Sequence, residues 1–386
     1  MFPTLSSLIN AVFGTDLSWP IPTFGFFVTL SFLLSYLIFY REFERKERVG
    51  QLRPFRVQTT VGIKMKGFLV LGYALLGFLV GFKGWGAYLA YDSFRHYPLR
   101  WLVSGQGSWV GGMLGAGLST AIFAIVHRQL LWAAPREEHR EIKPKDLLPT
   151  MLLWSGLTGF LGARIFAVFE DGQLLQTRGF WELLDSGGLT FWGGLLFGAA
   201  TYFYLGVRRG LPWRHLADVG SLGMLMAYGV GRMGCHLSGD GDWGMVNTAD
   251  KPFGWLPQWA WSFRFPHNVL NQGEYIPGCL GPYCSILPQG VFPTSLYESV
   301  LILFAFCVLW SIRKRLRRPG ILFAIYLSVV GAERFLIEFI RVTYKFDVWG
   351  IALSEAQLIS LGMLTFAAVA GGYLFIERKG AKRRTV

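Results

Sequence analysis

The sequence predicts an all-α polytopic membrane protein of about nine transmembrane helices with a small extracytoplasmic cap, and three observations lead there. Of 386 residues, 52% are hydrophobic and only 16% charged, with a mean hydropathy of +0.39. Ser18 to Tyr40, Ser104 to Val126, Gly187 to Val207 and Ala356 to Ile376 contain no charged residue, and each can cross roughly 30 Å of hydrocarbon at about 1.5 Å per residue. The third observation is that the charges which remain are sorted along the chain. An ordinary soluble domain is excluded by the first two.

Taken in order, spans are expected near 23–40, 67–91, 107–127, 147–169, 188–207, 215–236, 294–312, 320–341 and 354–376. The net charge is +13, unevenly placed: segments 41–66, 127–147, 208–214, 313–319 and 377–386 hold 26 Lys and Arg, whereas 1–22, 92–106, 170–187, 237–293 and 342–353 hold 6. By the positive-inside tendency the first set faces the cytoplasm, which puts the N-terminus outside and the C-terminus inside. A nucleic-acid surface would need those cations on one folded face, but apolar spans separate them, so the expected surroundings are membrane lipids and no nucleic acid. Residues 1–22 lack the basic stretch that opens a signal peptide, so the first span is expected to remain.

Five segments follow: 1–66, the outer N-terminus, first span and basic cytoplasmic loop; 67–146, an extra helical pair; 147–236, core spans; 237–293, the extracytoplasmic cap; and 294–386, the C-terminal core spans. The extra pair is read from self-similarity at an offset of 82 residues, where Gly77-Phe78-Leu79 recurs as Gly159-Phe160-Leu161 and the Gly105 to Gly112 run recurs as Gly187 to Gly194. Lys83 lies opposite Arg164 after a one-residue gap, and the chemistry is expected on the copy with arginine. The cap is too polar and turn-rich to span. Its 57 residues are few for an independent fold, so it is expected to rest on helix ends, with Trp255, Trp259 and Trp261 at the interface. Cys279 and Cys284 fall on this outer segment, where their spacing suits one bridge or two free thiols. No ligand spacing supports zinc, and no metal is expected.

Charges inside the spans are the next signal, because an unpaired Arg at the bilayer centre costs about 2.5 to 3.5 kcal/mol on insertion scales. Asp218 and Glu333 read as structural partners near span ends or beside cations. Arg334, Glu338 and Arg341, at i, i+4 and i+7, read as one helix face. One carboxylate cannot neutralise two guanidiniums, so an anion is expected to complete the set; the planar Arg fork suits phosphate oxygens. A second constellation runs from Gly229 to Gly244, placing Arg232, His236, Asp240 and Asp242 where a span meets the outside, with Gly231 and Gly234 letting backbone approach a ligand.

These motifs resemble those of the prolipoprotein diacylglyceryl transferase family. Its Arg-Phe-x-x-Glu-Phe-x-Arg is complete as Arg334 to Arg341, and its Pro-x-x-Leu-Tyr-Glu matches Pro293 to Glu298. Its Gly-Arg-x-Gly-Asn is similar to Gly231 to Cys235, and its Gly-Gly-x-Ser-Phe-His-Gly-Gly to Gly187 to Gly194. The resemblance covers most of the chain. It implies a bacterial inner-membrane enzyme that moves the diacylglyceryl group of phosphatidylglycerol onto the lipobox cysteine of prolipoprotein signal peptides, releasing glycerol phosphate without a cofactor. The chain departs from the family at Trp192, Cys235, Ser238, Asp240 and Phe292, and the pair from 67 to 127 interrupts the family's order.

What the resemblance implies for the site is a set of roles. Arg232 and Arg334 bind phosphate with Arg164 and Arg341 as further donors, Glu338 orients Arg334, and Tyr297 and Glu298 shape the site. The histidine that the family has at Trp192 is missing, so His236 is expected to take the thiol proton, with Asp240 as its competitor. An inactive relative, or a transporter of lipid or anion, is the alternative reading.

Overall fold

A computed structural model describes residues 1–61, 67–96, 101, 104–126, 136–170, 190–316, 318–348 and 350–383. The described residues are mostly helical. In chain order the elements are α1 (Leu5–Phe13), α2 (Thr23–Arg48), β1 (Phe55–Val61), α3 (Gly67–Leu89), α4 (Tyr91–His96), α5 (Trp109–Val126) and β2 (Arg136–Ile142). A short 3-10 turn at Pro144–Leu147 leads into α6 (Leu148–Glu170), α7 (Phe191–Arg208), α8 (Trp213–Ser238), α9 (Gln258–Trp261), β3 (Glu274–Tyr275) and β4 (Ser285–Ile286). Then follow α10 (Thr294–Ile312), α11 (Ile321–Ile337), β5 (Lys345–Val348), β6 (Ile351–Ser354) and α12 (Glu355–Arg383). A helix lies at each expected span, and among the described residues six helices are long and apolar enough to cross a membrane. Of the other three, α7 and α11 are 18 and 17 residues long, and α8 carries Asp218 and Arg232.

The chain divides into two compact units. One comprises Met1, Phe24–Pro54 and Lys143–Val386, the other Phe2–Thr23 and Phe55–Ile142. In the second unit, α3 and α5 are antiparallel and cross at glycines: a methyl group added at Gly81 would meet the Gly111 backbone and stand 3.0 Å from Gly115 Cα. In the first unit, α6 and α7 cross in the same way, with a methyl at Gly162 meeting Gly193 and Phe197. The crossings fall at matching places in the two copies, since only residues without a Cβ allow backbones this close. Lys83 spends its three protons on the carbonyls of Trp101 (3.2 Å), Ser104 (2.5 Å) and Gln106 (2.8 Å). The connection at 171–187 lies outside the described residues.

Two ribbons were not legible as helical periodicity. β1 pairs antiparallel with β2, from Phe55 opposite Ile142 to Val61 opposite Arg136. This brings the entry and exit of the second unit's helices together. β5 and β6 form a hairpin after α11.

The first unit is organised around α8. Its N-terminal half packs Leu216 and Val219 with Phe39, Phe43, Leu148 and Met151, while Leu222 and Leu225 pack with Ile302, Phe306 and Leu322. Asp218 bears out its structural reading: its carboxylate accepts the backbone N–H groups of Gly320 (3.0 Å) and Phe323 (3.1 Å), capping α11, and pairs with Lys46 at 3.5 Å. Capping satisfies N–H groups that have no partner inside the helix and places negative charge at its positive end. The cap has its own small core of Phe265, Leu287 and Val291 with Trp243 and Phe263. It is held by the disulfide Cys279–Cys284, which resolves the open alternative for that pair.

Candidate active site

α8 ends at Ser238 with Gly239 in the left-handed region (φ 68°), and the chain turns through Gly241 (φ 99°) to bring Asp242 back toward the helix. Thr294 Oγ1 at the start of α10 donates to the Asp242 carbonyl at 2.9 Å, and Gly244 N–H donates to Phe292 O at 2.8 Å. Four residues on from Thr294, Glu298 is fully buried. Ser299 Oγ donates to Gly229 O at 2.8 Å, locking α10 against α8.

Glu298 is the meeting point of three arginines. Arg334 Nη1 donates to Oε1 at 2.9 Å and Arg341 Nη1 to the same oxygen at 3.1 Å. Arg232 Nε stands 2.6 Å from Oε2, an ion pair without the alignment of a directed hydrogen bond. Asp242 makes a second bridge, accepting from Arg341 Nη2 at 2.8 Å and from Arg232 Nη1. Glu338, 1% exposed, lies 3.6 Å from Arg334 Nη2. Three guanidiniums thus face three carboxylates. Removing one partner from such a buried set typically costs about 3 to 5 kcal/mol, because the remaining charges stay desolvated.

One expectation needs correcting here. Arg334, Glu338 and Arg341 do not share a helix face, because α11 ends at Ile337 and Arg341 lies beyond it. The N–H groups of Phe339 and Ile340 bond three residues back, Met245 N–H donates to Ile340 O at 2.8 Å, and Arg341 forms an isolated bridge with Gly244. Pairing with the cap outcompetes another helical turn and swings Arg341 toward Asp242. The anion argument changes with it: the count of one carboxylate to two guanidiniums omitted Glu298 and Asp242.

Other site residues fall as follows. Tyr297 donates its hydroxyl to Ala260 O at 2.7 Å, tying α10 to the cap. A methyl group at Gly231 would meet nothing within 4 Å, leaving that side of Arg232 open, whereas one at Gly234 would stand 2.7 Å from Phe27 Cβ. Arg164 packs its guanidinium over the Phe160 ring at 5.8 Å. Trp192 is in the first turn of α7. His236, the expected base, lies one turn beyond Arg232 along α8, in the cap's ring cluster. Its ring centre is 5.6 Å from Phe265 and 6.2 Å from Phe263, it is 6% exposed, and its Nδ1 has no hydrogen-bond partner among the described residues.

Asp240 Oδ1 accepts the Asp242 N–H at 3.4 Å. Burial raises the Asp240 carboxyl above its usual range, and the neighbouring Asp242 adds to this. For Asp242 burial acts upward too, but Arg232 and Arg341 outweigh it and hold the carboxyl below its ordinary value. Among the described residues, one group of side chains has the donor types for a metal, Cys235, Asp240 and Asp242, with donor atoms within 4.8 Å of one another. Both oxygens of Asp242 are already taken by arginines, so that group is poorly suited to a cation.

Sequence reasoning missed Tyr228 and read Glu333 only as a structural partner. Tyr228 places its ring 5.6 Å from the Arg232 guanidinium and donates its hydroxyl to Glu333 Oε2 at 3.4 Å. Glu333 is 7% exposed, and its Oε1 has no hydrogen-bond partner among the described residues.

Comparison with known proteins gives one consistent result. Residues 129–373 match the family described as prolipoprotein diacylglyceryl transferase. A phosphatidylglycerol–prolipoprotein diacylglyceryl transferase of Lactobacillus delbrueckii subsp. bulgaricus is 27% identical over 274 residues, 70% of this chain and 86% of that protein. One from Bacillus cereus is 27% identical over 274 residues, covering 70% and 88%. One from Corynebacterium diphtheriae is 27% identical over 230 residues, covering 58% and 75%.

Proposed function

The chain belongs to the prolipoprotein diacylglyceryl transferase family, and from that premise we propose that it transfers the diacylglyceryl group of phosphatidylglycerol to the lipobox cysteine of prolipoproteins. The observation that carries the reading is the convergence of Arg232, Arg334 and Arg341 on one fully buried carboxylate, Glu298, which stands on α10, a helix long and apolar enough to cross a bilayer. The thiol loses its proton, and its sulfur forms a bond to the glyceryl carbon that bears the phosphate. The carbon–oxygen bond breaks, and its electron pair leaves with glycerol phosphate. Fixed donors aimed at the oxygen that gains charge are among the largest catalytic effects, and guanidiniums in a dry site are such donors.

The charge balance also suggests how the phosphate enters. With three cations facing three carboxylates, an arriving phosphodiester competes with one of them. Asp242 is the candidate: its side chain is 29% exposed on a glycine-flanked loop, whereas those of Glu298 and Glu338 are 0% and 1% exposed. We assign Arg232, Arg334 and Arg341 to the phosphate and Arg164 to the surrounding lipid-facing wall. Glu298 holds the arginines in register, Glu338 orients Arg334, and Gly231 leaves room beside Arg232. No cofactor enters this scheme. The proposed setting is the bacterial inner membrane, with the cap and N-terminus outside and the C-terminus in the cytoplasm.

The test is direct. Purified protein in vesicles containing phosphatidylglycerol is incubated with a lipobox peptide, and mass spectrometry follows the diacylglyceryl thioether and glycerol phosphate. Both products should appear together. Absence of the thioether, with the protein folded, would make the chain an inactive relative.

A further inference from the structure

Resting on that reading, we propose that Glu333 is the general base that takes the proton from the attacking thiol. Three carboxylates at the arginine cluster, Asp242, Glu298 and Glu338, are already paired with guanidiniums. Glu333 differs from all three. Among the described residues no cation stands within ion-pair distance of it, although Arg334 is its neighbour in sequence. Successive helical residues point about 100° apart, so the two side chains diverge. One Glu333 oxygen is held by the Tyr228 hydroxyl at 3.4 Å, and the other is buried without a partner. A buried polar atom without a partner is rare and calls for an explanation, of which a catalytic role is one.

Position supplies the second argument. α8 runs outward, and Tyr228 precedes Arg232 by one turn, about 6 Å nearer the membrane interior. Helical side chains lean toward the N-terminus of their helix. Both α8 and α11 run outward in the proposed topology, so Tyr228 is set one turn inward of Arg232, and Glu333 about 1.5 Å inward of Arg334 and two turns inward of Arg341 in sequence. A phosphatidyl lipid whose phosphate is on the arginines has its glyceryl carbon on that same inner side, since the acyl chains are in the hydrocarbon. Displacement at that carbon requires sulfur to arrive opposite the departing phosphate oxygen. The base must therefore sit inward of the phosphate, as Glu333 does. His236 is one turn outward of Arg232 and Asp240 is in the cap, both on the leaving-group side.

The step balances. The Glu333 carboxylate accepts the thiol proton, sulfur bonds to carbon, and the carbon–oxygen pair leaves on glycerol phosphate. The proton then returns to solvent or product before the next turnover.

The experiment uses Glu333→Gln in full-length protein in phosphatidylglycerol vesicles, with two lipobox peptides that carry cysteine or selenocysteine at the acceptor position. A selenol ionises well below a thiol and needs no base. With the cysteine peptide, turnover should fall on the order of 100-fold, while the selenocysteine peptide should lose less than about threefold relative to the parent protein. Equal loss with both peptides, or undiminished cysteine turnover, would overturn the assignment. If the unsubstituted protein transfers to neither peptide, the transferase reading itself fails and the base with it.

Discussion

Arg341 Nη2 donates to Asp242 Oδ1 across 2.8 Å, so the turn that ends α11 grips the loop that follows α8. The same carboxylate bridges to Arg232, and in this sense it stands where an anionic ligand would. Asp242→Asn keeps the shape and frees two guanidiniums. We expect it to bind inorganic phosphate, and phosphatidylglycerol in vesicles, about tenfold more tightly than the parent protein, because charge-assisted Arg–phosphate bonds no longer compete with a resident carboxylate. Weaker binding in a calorimetric titration would make Asp242 a support for the arginines rather than a stand-in for the ligand.

Arginine removal should act on turnover as well as on stability. Arg232→Ala or Arg334→Ala should lower transfer by about 100- to 1,000-fold, the range seen when one donor to a developing anion is lost. Lysine at either position should recover only part, since it keeps the charge and loses the planar fork. Size-exclusion profiles of the variants check that each remains folded, and near-normal turnover in both alanine variants would remove the phosphate site.

Much of this was legible in the sequence, for identifiable reasons. Uncharged runs announce helices because the bilayer admits little else, and Arg232 and Arg334 announce a site because a lone charge there is expensive. Arg341 was misplaced because periodicity carries no information about the cap strand that captures its backbone. Glu298 was named as shaping the site, but its partners at 232, 334 and 341 meet it only through tertiary packing. Glu333 read as a partner of Arg334 because they are adjacent in sequence, which in a helix is the spacing that keeps side chains apart. β1 and β2 are separated by two helices, so no local pattern could pair them.

Asp240 offers a test by pH. Its carboxyl is raised by burial and by Asp242, so the folded protein holds this proton more tightly than the unfolded chain does. Stability from this group therefore declines as pH rises from the unfolded value near 3.9 toward the raised folded value, and stays lower above it. Asp240→Asn removes that decline. In detergent, the variant should melt at a higher temperature than the parent at pH 7, with the difference shrinking toward zero near pH 3. A gain of the same size at both values, or none at pH 7, would mean that Asp240 is not buried as described.

The charge sorting gives a topological expectation. Reporter fusions after Arg318 and within residues 245–285 should report opposite sides of the membrane, the first cytoplasmic and the second outside, because 26 of the Lys and Arg residues in the connections lie on one set and 6 on the other. The same side for both would break the proposed orientation, and with it the inward and outward directions on which the assignment of Glu333 depends.

The extra helical pair should be dispensable for transfer. Its one charged mid-helix group, Lys83, has committed its protons to the carbonyls of Trp101, Ser104 and Gln106, leaving nothing with which to hold a phosphate. The family match begins at residue 129, after both helices of the pair. The ribbon of β1 and β2 also brings Val61 opposite Arg136, so the chain could cross there in a tight turn. Replacing residues 62–135 with Asn-Gly, a pair suited to a two-residue hairpin, should preserve the ribbon. Removing two spans leaves every later segment on its original side of the membrane. Transfer measured on the shortened protein should stay within about tenfold of the parent, a loss of at most 1.4 kcal/mol in barrier terms. A folded, inserted protein that had lost transfer altogether would show instead that the pair contributes to the site or to substrate capture, and the search for its contribution would then begin on the faces of α3 and α5 away from their glycine crossing.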